Sequence, residues 1–271
     1  MKLIASDIDG TILDHEGLIS ARTVQAFRAA EAAGIEVVFV TGRPPRWLDP
    51  LRRQVGHLGR VICSNGALVY DLAGESVVST KCLSVGDVLA AKAAIRQVAP
   101  GASFAAETID GLFLEPEFLH EESSPALLQL TPAPLEDSLQ EENGHRVLKF
   151  LARMDHHDAD AFLAVVRPVV ARWADATHSA PGMALLELSR VGVNKAATLS
   201  EYAASRHIDA TEVIAFGDMP NDVEMLSWAG RGYAMASGHP AAQAATALRA
   251  PALAEDGVAQ VLEELLGALT T

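Results

Sequence analysis

Four short apolar runs, each stopping at small or polar residues, restrict the fold of this 271-residue chain more than any other feature. Leu3-Ile4-Ala5-Ser6 stops at Asp7-Ile8-Asp9-Gly10, and the run from Ile35 to Val40 stops at Thr41-Gly42-Arg43. Val61-Ile62-Cys63 stops at Ser64-Asn65-Gly66, and Val213-Ile214-Ala215-Phe216 stops at Gly217-Asp218. β-Branched runs of this length, apolar on both faces, predict buried strands of a parallel sheet. Helical spacing fills the intervals: Ser20 is a plausible N-cap ahead of Val24 and Phe27, and Lys195 to Arg206 carries Leu199, Tyr202 and Ala203 on one side. Strand and helix in alternation imply an α/β fold, a Rossmann-like doubly wound parallel sheet. In such sheets ligands bind beyond the carboxyl ends of the strands, so the four polar endings are expected to meet in one crevice.

The middle of the chain follows another rhythm. Val85–Val98 and Ala159–Val170 read as helices, and Ala102–Ala106, Leu112–Leu114, Val147–Ala152 and Met183–Leu188 as strands. This predicts a compact α/β unit of its own at 82–186, inserted into a core formed by 1–81 and 187–271. The insertion holds seven basic and fifteen acidic residues, a net of −8 within a total of −14. From Glu115 to Glu142 the chain has eight acidic residues, four prolines and no Lys or Arg, which predicts a long, partly mobile loop.

Composition narrows the partners. With 49% hydrophobic and 21% charged residues the chain can bury a core. A net charge of −14 argues against DNA or RNA as partner, because such affinity comes largely from Lys and Arg neutralising phosphates. The longest stretch without formal charge, Gly232 to Leu248, is too polar and short for a bilayer span, and Asp7 interrupts any signal-peptide core. Cys63 and Cys82 make neither a disulfide framework nor a zinc site. The expectation is a soluble cytoplasmic protein with a small-molecule partner, no nucleic acid and no membrane, as monomer or small homo-oligomer.

The strand endings carry the chemistry. Asp7 and Asp9 are two carboxylates past one strand, suited to metal binding, acid–base work or nucleophilic attack. Asp218, Asn221 and Asp222 add oxygen ligands from another strand end. Hard oxygen donors without His or Cys suit Mg²⁺. Lys195, following Asn194 at a helix start, is placed to meet an anion, while Thr41 offers a hydroxyl and Gly42 a backbone N–H with no side chain beside it. Together these describe a centre that handles phosphoryl groups. Arg43 and Arg46 read either as further anion contacts or as ordinary structural arginines. His156 and His157, with Asp158 and Asp160, read as a helix start rather than a metal cluster.

Asp7-Ile8-Asp9-Gly10-Thr11, Thr41-Gly42-Arg43, Lys195 and Gly217-Asp218-Met219-Pro220-Asn221-Asp222 resemble, in order, the four motifs of the haloacid-dehalogenase-like superfamily. Ser64-Asn65-Gly66-Ala67 and Gly192-Val193-Asn194-Lys195 are similar to the Cof-type phosphatases, whose large α/β cap lies between the second and third motifs. The resemblance implies that Asp7 is a nucleophile forming an aspartyl-phosphate and that Asp9 is the acid and base. It implies Mg²⁺ on Asp7, Asp218 and the backbone carbonyl of Asp9, with Asp222 in the same metal site. Thr41, Gly42, Asn65, Lys195 and Asn221 are the implied phosphate contacts, and the cap is expected to close over the substrate. Two departures stand out, Ala196 where the family usually has glycine and Ala236-Ser237-Gly238-His239 in place of an Asn-Ala ending. Neither removes a reacting group. The expected activity is Mg²⁺-dependent hydrolysis of a small sugar or polyol phosphate. Phosphomutase or other phosphotransferase chemistry, and a ligand-binding regulator without turnover, are the alternatives.

Overall fold

The computed structural model describes residues 1–56, 58–119, 127–140, 144–180 and 182–268. Its strands are β1 (Leu3–Ser6), β2 (Glu36–Val40), β3 (Arg60–Cys63), β4 (Leu68–Asp71), β5 (Ser76–Thr80), β6 (Ser103–Thr108), β7 (Leu112–Leu114), β8 (Val147–Arg153), β9 (Ala174–Thr177), β10 (Leu185–Arg190), β11 (Val213–Gly217), β12 (Arg231–Met235) and β13 (Leu248–Ala250). The chain divides into two compact units, Met1–Ser79 with Asn194–Thr271, and Thr80–Val193.

The first unit is built on an eight-stranded sheet in the order β13-β12-β11-β1-β2-β3-β4-β5. The strands from β13 to β3 run parallel, and β4 turns back antiparallel on β3. The doubly wound α/β expectation is borne out. Alternation along the strands explains the layers. Leu3, Ala5, Val38, Val40 and Ile62 face the helices Lys195–Ser205 and Val223–Trp228, packing on Leu199, Tyr202, Met225 and Leu226. Phe39 points the other way and meets Phe27 of the helix Ala21–Ala32 edge to face, with centroids 5.3 Å apart. Ser20 caps that helix by accepting from the Thr23 N–H.

The second unit is an antiparallel sheet, β7-β6-β8-β10-β9. One face packs Phe104, Phe150, Leu186 and Leu188 against the helices Val85–Val98 and Ala159–Val170. Asp158 caps the latter helix through Ala161 N–H, so this segment is a helix start. The unit's boundary falls at Val193 rather than at 186, because β10 pairs with β8 and β9 of this sheet.

The segment 115–142 also differs from its reading as a loop. Residues 120–126 and 141–142 lie outside the described residues; the rest holds two 3-10 turns and the short helix Leu135–Ser138. Buried Lys92 bonds both Glu115 and Glu136, and Phe118, Leu127 and Leu130 pack on Leu114 and Leu151. Prolines and acidic residues signal a loop locally, but a lysine more than twenty residues earlier supplies their counter-charge.

Candidate active site

The endings of β1, β2, β3 and β11 all lie in the first unit and carry Asp7, Asp9, Thr41, Gly42, Asn65, Asp218, Asn221 and Asp222, while Lys195 opens its own helix. After β1 the chain turns tightly: the Ile8 carbonyl accepts from the N–H groups of Ile12 and Leu13, at 3.0 and 2.8 Å. Gly10 makes the turn possible. Its φ is +78°, and a Cβ there would stand 2.4 Å from Asp218 Oδ2.

Lys195 is the centre of the cluster. Its Nζ donates to Asp7 Oδ1 at 2.6 Å and to Asp222 Oδ1 at 2.7 Å, with all three side chains buried. Asn194 caps the helix at this point, accepting from Ala197 N–H at 2.7 Å. Asp222 is spent on bracing: its Oδ2 accepts the N–H groups of Asp218 and Met219 at 3.1 and 3.0 Å. Asp218 Oδ1 accepts from the Thr11 hydroxyl at 3.1 Å, and its backbone carbonyl accepts from His239 N–H at 2.7 Å. The Thr11 contact was not anticipated, although Thr11 stands inside the first motif.

Carboxylate oxygens of Asp7, Asp218 and Asp222 lie within 4.8 Å of one another. One ammonium therefore faces three buried carboxylates. Burial, and then repulsion between carboxylates, pushes the Asp7 carboxyl well above its usual range despite Lys195. Burial and the Asp222 charge push Asp218 up to about 7. The ammonium of Lys195, which burial alone would lower, is raised by Asp222 and Asp7. This donor set fits a hard divalent cation: all oxygen, an uncompensated negative charge, and a buried Asn221 Oδ1 that has no hydrogen-bond partner.

Thr41 and Asn65 form a second, neutral group. Buried Thr41 Oγ1 accepts the Arg43 N–H at 3.0 Å, so its own hydroxyl hydrogen stays available to donate elsewhere. The Thr41 carbonyl accepts from Asn65 N–H at 3.0 Å, and Asn221 Nδ2 donates to Asn65 Oδ1 at 3.0 Å. Gly42 lies between Thr41 and Arg43 on the same turn. Asn65 sits in a left-handed turn with Ser64, and Gly66 follows at φ +102°, where a Cβ would stand 2.3 Å from the Asn194 carbonyl oxygen. The Asp9 carboxylate is outside the three-carboxylate group; both its oxygens are bonded to Arg43.

A doubly wound sheet whose strand ends gather carboxylates around a buried lysine defines a class of α/β hydrolytic enzymes. Residues 4–262 match the family model of haloacid dehalogenase-like hydrolases, and the chain belongs to that family. The curated proteins that it resembles include named phosphatases of the family. A 5-amino-6-(5-phospho-D-ribitylamino)uracil phosphatase of Bacillus subtilis, YitU, is 29% identical over 97% of this chain and 96% of its own. A phosphoglycolate phosphatase of Methanothermobacter thermautotrophicus is 24% identical over 98% and 100%. Among solved structures, the subclass IIB sugar phosphatase BT4131 superimposes with a TM-score of 0.80 at 23% identity, covering 98% of this chain and 99% of its own. A haloacid dehalogenase-like hydrolase from B. subtilis gives 0.82 at 23%, covering 98% and 100%. No described helix is long and apolar enough to cross a membrane.

Proposed function

We propose that this chain is a Mg²⁺-dependent phosphomonoesterase acting on a small sugar or polyol phosphate by way of a phosphoryl group carried on Asp7. The observation that supports it most is the group of three buried carboxylates facing a single ammonium. Asp7 is the nucleophile: one carboxylate oxygen bonds to phosphorus as the ester oxygen departs, and Lys195 holds Asp7 Oδ1 in place for the attack. Asp9 gives its proton to the departing alcohol, then takes one from the water that attacks the phosphorus and frees Asp7. Such acid–base help is worth about 10²–10⁴-fold. The Thr41 hydroxyl, the Gly42 N–H and Lys195 receive phosphate oxygens and offset their charge, with the buried pair Asn221 and Asn65 as further phosphate contacts.

Asp7, Asp218 and the Asp9 backbone carbonyl hold the cation, which, when bound, supplies the positive charge that lets a dianionic ester approach a carboxylate. Asp222 acts through Lys195 and the 218–219 turn that it braces. The polyol and sugar phosphates in the names of YitU and BT4131 support the substrate class. Two free thiols, with Cys63 pushed up by burial, suit the cytoplasm.

The test is phosphate release from a panel of sugar, polyol and aryl phosphates, with and without Mg²⁺, for the wild type and Asp7→Asn. Turnover that needs Mg²⁺ and Asp7 is the expected result. Activity surviving in Asp7→Asn would remove the nucleophile, and an isomeric ester in place of free phosphate would make the chain a phosphotransferase.

A further inference from the structure

Arg43 stands two residues past Thr41, yet its side chain turns to Asp9 rather than to the buried carboxylates. Nε donates to Asp9 Oδ2 at 2.7 Å and Nη2 donates to Oδ1, the two-pronged geometry of guanidinium on carboxylate. Nη1 donates to the Trp47 carbonyl at 3.3 Å, which ties the back of the fork. The backbone is anchored too: Arg43 N–H donates to Thr41 Oγ1, and the Arg43 carbonyl accepts from Ser64 N–H at 3.0 Å. Main chain and guanidinium are thus bonded to four residues, Thr41 and Trp47 nearby and Asp9 and Ser64 from the endings of two other strands.

Asp9 is half exposed and sits at the tip of the β1 turn. The turn fixes its backbone, which leaves the direction of the carboxylate to two side-chain torsions. An ordinary ion pair at such exposure contributes little to stability, so the value of this one lies in orientation.

We propose that Arg43 is a positioning residue: it sets the direction from which Asp9 hands its proton to the leaving oxygen. The inference rests on the reading of Asp9 as the acid. It also gives Arg43 a role other than direct binding of the substrate's phosphate.

The experiment measures kcat and KM for glucose 6-phosphate and p-nitrophenyl phosphate, in the wild type, Arg43→Gln, Arg43→Lys, Asp9→Asn and the double variant Asp9→Asn/Arg43→Gln. The sugar alkoxide needs a proton to leave and nitrophenolate does not, so kcat/KM separates acid help from binding. Arg43→Gln is expected to lower kcat/KM for glucose 6-phosphate about 30-fold through kcat, a part of what a general acid supplies, but only about threefold for the nitrophenyl ester. Arg43→Lys, which keeps the charge without the fork, falls between. In the Asp9→Asn background Arg43→Gln changes kcat/KM less than about twofold, because the group it positions is gone.

An equal loss on both esters with raised KM, or a full loss on top of Asp9→Asn, overturns the inference and makes Arg43 a substrate contact. Asp9→Asn without leaving-group dependence overturns the acid reading, and the inference with it. Circular dichroism checks that each variant is folded, and Arg43→Lys carries the comparison where Arg43→Gln is not.

Discussion

Each unit buries lysine against carboxylates, and the charge balance differs. In Thr80–Val193, Lys92 and Arg96 meet Glu115 and Glu136, two cations with two anions; Lys92 Nζ lies 2.5 Å from Glu136 and Arg96 Nη2 2.9 Å from Glu115. Desolvation would raise the Glu136 carboxyl, but the Lys92 hydrogen bond holds it below its usual range. In the other unit Lys195 alone faces Asp7, Asp218 and Asp222, and Asp218 is pushed up to about 7. Removing charges from water is costly, and pairing recovers the cost only when the signs match. The balanced cluster is explained by packing alone: it ties Glu115 and the short helix Leu135–Ser138, through Glu136, to the helix Val85–Val98. The unbalanced one is destabilising as it stands, and makes sense as a site that a cation completes.

The strongest test of that contrast is at Asp7. Asp7→Asn is expected to lower kcat more than about 10⁴-fold, as losses of catalytic nucleophiles do, while leaving Tm equal or higher because one buried repelling charge is gone. Phosphate release and thermal denaturation on the same preparation read both. A smaller and more local change is Gly10→Ala. Its Cβ, 2.4 Å from Asp218 Oδ2, displaces that carboxylate, and a displacement on the order of 1 Å costs about 10²-fold in kcat/KM, with more Mg²⁺ needed for half-maximal rate.

Lys92→Met reverses the pattern. It leaves buried Glu115 to the part-exposed Arg96 and takes the ammonium from Glu136, destabilises the chain by about 3 kcal/mol in urea denaturation, and leaves the turnover of folded molecules within about twofold. A large loss of turnover there would erase the distinction between the two clusters.

The pH dependence sharpens the same point. Between the unfolded value of an aspartate, about 4, and about 7, the folded chain keeps the Asp218 proton that the unfolded chain has released. The unfolded state then binds fewer protons, so the contribution of Asp218 to stability falls as pH rises through that window. Scanning with chelator should show Asp218→Asn flattening this fall, and Mg²⁺ should raise Tm at pH 8 more than at pH 5. The smallest effect is expected at Arg22, whose bond to Glu263 is exposed: Arg22→Ala leaves both Tm and kcat unchanged.

Much of the fold was legible because burial on both faces leaves a plain mark. The runs ending at Asp7, Thr41, Ser64 and Asp218 became β1, β2, β3 and β11, and the caps at Ser20 and Asp158 formed as their sequence suggests. The antiparallel β4 and the edge strand β5 were missed, since an exposed stretch such as Ser76–Thr80 shows neither alternation nor an apolar run. The 115–142 segment misled for a different reason: its partner Lys92 is distant in sequence, and local composition holds no trace of it.

By itself, then, the sequence determined the class of sheet, the gathering of polar strand ends and the kinds of groups offered there. Those follow from periodicity and residue chemistry, which are local. The tertiary structure alone decided that Lys195 stands between Asp7 and Asp222, that Asp222 spends both oxygens on bracing, and that Asp9 is held by Arg43. Those bonds join residues 188, 27, 4 and 34 positions apart and depend on side-chain torsions set by packing, and neither spacing nor composition records a torsion.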